Sequence, residues 1–245
     1  GARLEQVVAL VRSAPGIEEG EHARYEKRRF VVRYGVGAGQ YAACLAVVAV
    51  ASGEEERIGR REGRGTGGIP EETALGDLIA DILRDSFGID LMLMGSGAIR
   101  SYSLGPVVHY ADLVECLPYD DAVYMLKVTG TQLERMIRHI LRDEAFQGEH
   151  TEFYQFSHGM RIVWSRSGQV FRELTLDGEV LHADRLYSVA MQKYQYNNLK
   201  PFLNITLEEA EQNGKIRVLS TSARDVVEEY LTVNQHLSRE VEGRL

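Results

Sequence analysis

An α+β domain of mixed sheets flanked by helices is the fold class that this sequence predicts, and three observations carry the reading. Segments with helical apolar spacing, after Thr73 and from Thr131 to Arg142, stand among runs rich in valine and aromatics. The pair Asp177-Gly178 between two such runs is a strong hairpin signal, so neighbouring strands run antiparallel there. Strands and helices do not alternate as repeating βαβ units, and no internal repeat is visible.

Taken in order, the chain opens on an amphipathic pattern at Leu4, Val7, Val8 and Val11, which is not the charged head and apolar core of a signal peptide. Residues 28–34 and 40–51 read as β-rich. Residues 52–68 are dense in charge and glycine and nearly empty of apolar side chains, as a solvated linker would be. The expected organisation is a partial N-terminal segment at 1–51, a linker at 52–71 and a main domain at 72–245. Within that domain Leu75, Leu78, Ile79, Ile82 and Leu83 predict a helix capped by Thr73 and closed by Gly88. A short apolar strand, Ile89 to Met94, then runs into the glycine-rich turn Gly95-Ser-Gly-Ala-Ile-Arg100. Further strands are expected at 122–129, 159–164, 170–176, 187–192 and 215–219, with helices at 131–142 and 222–231.

Composition narrows the function classes. A chain of 245 residues with 44% hydrophobic content can fill a sizeable core. Its net charge of −8 gives no field to gather phosphate backbones, so nucleic-acid binding is disfavoured and any anion site is local. The longest apolar stretch, Tyr41 to Ala51, is about half of what a membrane-spanning helix needs. Cys44 and Cys116 make neither a disulfide framework nor a four-ligand zinc site and read as small apolar fillers. The acidic run at 54–56 is a solvated face, and Asp120 tightens the turn after Pro118.

The ordered blocks Glu72-Thr-Ala-Leu-Gly-Asp77, Gly95-Ser-Gly-Ala-Ile-Arg100, Leu117-Pro-Tyr-Asp120, Val128-Thr-Gly130 with Gln132-Leu133, Tyr154-Gln155 and Tyr187-Ser-Val189 resemble the C-terminal domain of the 5′-nucleotidases. Each block alone is weak; their order and spacing together are specific. The family includes 5′-nucleotidases, 2′,3′-cyclic phosphodiesterases and UDP-sugar hydrolases. The resemblance implies a layered α/β/β/α domain that binds the nucleoside, paired with an N-terminal metallophosphoesterase domain. It implies that Arg100 reaches the substrate phosphate from the glycine-rich loop, with Gly95 and Gly97 also at the substrate, because a planar guanidinium matches phosphate oxygens. It also implies that Phe153 and Phe202 stack on the base, with Tyr154, Tyr194 and Tyr196 as neighbouring alternatives. Gly95 stands where many members have asparagine, and Asn198-Leu-Lys-Pro201 replaces a Gly-Gly-Asp-Gly turn.

The same resemblance places two divalent metals, of the Zn or Mn type, in the N-terminal domain, and a chain outside the cytoplasm: extracellular, periplasmic or at the cell surface. The family's Asp-x-His, Gly-Asn-His-(Asp/Glu) and Gly-His-x-His motifs do not occur in this sequence, whose histidines are scattered singly. Residues 20–24, with His22, are only faintly similar to the end of such a catalytic domain. The chain by itself is therefore expected to bind a nucleoside or nucleotide and not to hydrolyse it. A non-catalytic nucleoside-binding module or a purely structural domain is the alternative.

Overall fold

The computed structural model describes residues 44–45, 48–50, 71–101, 103–105, 107–143, 152–235 and 237–245, the first two stretches as backbone. The expected N-terminal helix, the strand at 28–34, the segment around His22 and nearly all of the linker lie outside these residues.

Strand β1 (Cys44–Leu45) pairs antiparallel with β4 (Val108–His109), and β2 (Val48–Val50) pairs parallel with β12 (Leu237–Arg239). The centre of the domain is a five-stranded mixed sheet in the order β11 (Arg217–Ser220), β5 (Val123–Thr129), β10 (Leu186–Gln192), β3 (Leu91–Gly95), β6 (Tyr154–Phe156). Only the β10–β3 pair in it is parallel. A separate antiparallel sheet joins β7 (Met160–Ser165), β8 (Val170–Leu176) and β9 (Glu179–Val180). Its hairpin turns at Asp177 (φ 53°) and Gly178 (φ 80°), the pair of positive φ values that the Asp-Gly sequence predicts.

The sheet is apolar on both faces because its strand residues alternate between two cores. Met92, Met94, Val123, Met125 and Ala190 face helices α1 (Ala74–Phe87) and α7 (Ala223–Val233). Leu91, Leu93, Leu126, Val128, Val189 and Met191 face α3 (Gly130–Ile140) and, beyond it, Ile162 and Leu176 of the second sheet. Two sheets flanked by helices are thus the architecture, as the sequence predicts.

Several elements exceed the sequence reading. Helix α2 (Tyr110–Cys116) follows β4, and the stretch after β10 holds α4 (Lys193–Asn197) and α5 (Leu199–Leu203), with α6 (Leu207–Gln212) beyond. Asp120 does more than tighten a local turn: its carboxylate accepts from Ser222 Oγ at 2.6 Å and pairs with Arg224 at 3.3 Å, bracing the start of α7.

Candidate functional site

Strand β3 is buried along its whole length and ends at Gly95, where the chain tightens into a 3-10 turn over Ser96–Ala98. Two backbone bonds hold this loop: Ser96 N–H donates to Phe153 O at 2.8 Å, and Arg100 N–H donates to Cys116 O at 2.8 Å. Cys116 is fully buried, and burial pushes its thiol pKa up to about 12, so it is an inert anchor. The backbone of Arg100 is fixed while its side chain is exposed. Its guanidinium donates to Tyr119 Oη at 2.9 Å and lies 5.4 Å from the centre of that ring, which is itself 52% exposed. The cation and an open aromatic face therefore stand together on the surface.

Glu152 enters the same loop from the other side. One carboxylate oxygen accepts from Gly97 N–H at 3.1 Å, and the other accepts from Gln195 Nε2 at 2.5 Å. Burial raises its pKa above the ordinary value; the bonds from Gln195 and Gly97 and the charge of Arg100 oppose that shift without cancelling it. Tyr154, next along, is 3% exposed, and its hydroxyl has no partner among the described residues. Burial and then the nearby Glu152 and Tyr194 hold its proton on.

Of the residues singled out from sequence, the structure brings Gly95, Gly97 and Arg100 together on one loop and ties Phe153 to it through the backbone. Phe202 is half-buried on α5, and its ring meets Tyr194, not Phe153, at 5.5 Å between centroids. Tyr194 is 55% exposed, and Gln195 beside it reaches Glu152, so the aromatic segment and the glycine loop share one polar link. Sequence reasoning gave no role to Glu152, Gln195 or Tyr119. Tyr119 belongs to the Leu117-Pro-Tyr-Asp120 block, and its closeness to Arg100 is visible only once α2 folds the chain back. Elsewhere an open groove of about 460 Å³ runs past the stacked Tyr124 and Tyr196 rings, with Glu211 and Lys215 on its walls, and none of Arg100, Phe153 or Phe202 lines it.

Comparison with known proteins decides the family. A model of the "5′-nucleotidase, C-terminal domain" matches residues 47–204, more than half of the chain. The chain belongs to the 5′-nucleotidase C-terminal domain family. Its fold is similar to that of a 5′-nucleotidase precursor from Thermus thermophilus, with TM-score 0.61 and 19% identity over 74% of this chain and 36% of that one. The NAD nucleotidase of Haemophilus influenzae is similar over 97% of this chain and 44% of its own, with TM-score 0.56 and 14% identity. A sulfate thiohydrolase from Thermus thermophilus shares the fold at TM-score 0.51 and 16% identity, covering 70% of this chain and 32% of that protein. This 5′-nucleotidase C-terminal domain chain thus spans less than half the length of those proteins. No curated protein matches it. Among the described residues no three of His, Cys, Asp and Glu converge as a metal site, and no helix is long and apolar enough to cross a membrane.

Proposed function

We propose that this chain is the nucleotide-binding C-terminal part of a 5′-nucleotidase-type phosphohydrolase in nucleotide catabolism. The observation that carries the reading is an exposed guanidinium on a loop whose backbone is fixed at both ends, beside an open aromatic ring. Arg100 would orient the phosphate, for which a charged planar donor is suited. Phe153, Phe202 and the exposed Tyr119 would offer faces to the base, while Gly95 and Gly97 shape the loop. In this reading an N-terminal metallophosphoesterase domain with two divalent ions of the Zn or Mn type supplies the hydrolysis. The described residues offer no donor set for such ions, so no step is assigned to them. Work outside the cytoplasm fits the precursor among the relatives.

Calorimetric titration of AMP and adenosine against the chain tests the proposal. Arg100→Ala should weaken AMP by at least about tenfold, the scale of a lost charge-assisted bond, and leave adenosine nearly unchanged. Phe153→Ala and Phe202→Ala should weaken both ligands by about tenfold, as expected for a stacking contact. If neither ligand binds at millimolar concentration, or if Arg100→Ala does not separate AMP from adenosine, the nucleotide reading is wrong.

A further inference from the structure

The glycines of the phosphate-loop candidate are not there for backbone conformation. Gly95 has φ −64°, and Gly97 is not among the positive-φ glycines. What excludes a side chain is Glu152. A Cβ on Gly95 would stand 2.3 Å from one Glu152 oxygen and 2.4 Å from Gln195 Nε2, and a Cβ on Gly97 would stand 2.8 Å from the other Glu152 oxygen. The carboxyl group fills the inside of the loop and uses one oxygen on each side, with Gly97 N–H on β3's loop and Gln195 on α4.

Gln195 is 1% exposed and lies between Tyr194, whose ring meets Phe202, and Tyr196, whose ring stacks on Tyr124. Glu152 is therefore the one group among the described residues that hydrogen-bonds both the Arg100 loop and the helix carrying Tyr194. Its chain neighbour Phe153 accepts the Ser96 N–H, which fixes where that bridge stands.

We propose that Glu152 is a positioning residue of the nucleotide site, setting the separation between the Arg100 loop and the Tyr194–Phe202 aromatic segment. The inference rests on the nucleotide reading above. Glu152 itself does not touch the ligand; its oxygens are turned into the protein. Without it the loop and the aromatic helix are free to drift apart, so a ligand that must meet both at once loses affinity, whereas the fold, held by the two cores, persists.

Three single variants, one double variant and two readouts test this: binding of AMP and adenosine by calorimetry, and cooperativity of thermal melting. Glu152→Ala severs both links and should weaken AMP by about tenfold while melting remains cooperative. Glu152→Gln should bind within about threefold of wild type, because Gln195 Oε1 has no partner and a turn of that amide lets it accept from the new donor. Gly97→Ala should weaken AMP by itself by pushing the carboxyl group aside, yet add nothing in the Glu152→Ala background, where its methyl group has room. If Glu152→Ala proves unable to fold, the role stands when Glu152→Gln binds AMP within about threefold of wild type while Gly97→Ala binds it more weakly, and it falls when folded Gly97→Ala binds as wild type does or folded Glu152→Gln is weaker by about tenfold.

The positioning role is overturned, and the nucleotide reading kept, if Arg100→Ala weakens AMP but Glu152→Ala binds both ligands as wild type does. It is also overturned if folded Glu152→Gln is as weak as Glu152→Ala, or if Glu152→Ala lowers only the melting temperature. Wild-type protein that binds neither ligand removes the nucleotide reading and this inference together.

Discussion

Asp77 lies in the first turn of α1 with its carboxyl group wholly buried, and neither oxygen meets a hydrogen-bond donor among the described residues. Burial raises its pKa to about 8; Arg244, 3.7 Å away, pulls the other way, and Glu72 and Asp81 add like charge. Arg244 donates hydrogen bonds to Asp81, at 2.7 and 2.9 Å, so it acts on Asp77 by charge alone and does not cancel the effect of burial. Because the folded pKa lies above the unfolded one, the folded state binds the extra proton between about pH 4 and pH 8. This group's contribution to stability is complete at the acid end of that window and is lost as pH rises through it. Asp77→Asn removes the titration and leaves the Arg244–Asp81 pair in place. The variant should therefore gain melting temperature relative to wild type at pH 8 and gain much less at pH 5. An equal difference at both values, in matched salt, would show that Asp77 does not titrate there. The buried acid was not legible in the sequence, since its spacing inside an amphipathic helix is that of an ordinary first-turn carboxylate. Glu152 was hidden for a different reason: its partners lie 55 and 43 residues away, so no local pattern marks it. The place of Arg100 on the glycine-rich turn, by contrast, was legible because that turn is contiguous with it in sequence.

Helix α1 shows how far local signals reach. Thr73 Oγ1 accepts from Gly76 N–H at 3.0 Å, and Gly88 closes the helix in the left-handed region at φ 60°, both as the sequence predicts. The block Val128-Thr-Gly130 with Gln132 likewise proves to be a reciprocal cap at the start of α3, with Thr129 and Gln132 each accepting the other's backbone N–H. Helices α2, α4, α5 and α6 run from five to seven residues, too short to establish an apolar period, and they were missed for that reason. A brace from another element leaves no local signal in the sequence. Gln155 of β6 accepts from Thr73 N–H at 3.2 Å and donates to Glu71 O at 2.8 Å, fastening the entry of α1. Its side chain occupies the place where a Cβ on Gly76 would come within 2.4 Å of Gln155 Cδ. The two positions should therefore couple. Gln155→Ala leaves buried polar groups unpaired and should destabilise by about 1–3 kcal/mol. Gly76→Ala should destabilise wild type but stabilise the Gln155→Ala protein by up to about 1 kcal/mol, because alanine is the better helix former once the space is free. Urea unfolding of the four proteins checks the reversal of sign, and two additive effects would refute it.

On the scale of the whole molecule, the C-terminal residues meet the segment just before α1 and the strand at 48–50. Glu72 accepts the backbone N–H groups of Gly243, Arg244 and Leu245, and β12 pairs with β2. Strands at 44–45 and 48–50 pair with β4 and β12, contacts between residues far apart in the chain that composition cannot reveal. The family was legible because it rests on the order of blocks spread over the chain, and that order also bears on catalysis. Two ions a few ångströms apart need a set of Asp, His and Asn ligands converging on one point. His158 is committed to Arg84 and Asp85, and His109 bonds Asp112, so these histidines serve local pairs. Among the described residues no three potential ligands converge, and the metal-binding motifs of the catalytic half do not occur in the sequence. Adding Mn²⁺ or Zn²⁺ to this chain should therefore leave phosphate release from AMP at the level of a blank containing metal alone. On the proposed function, AMP binding should be the same with and without the ion. Measuring release and binding on one preparation separates the two properties. Metal-dependent turnover that survives Arg100→Ala would mean that this chain holds a hydrolytic centre of its own, away from the glycine loop.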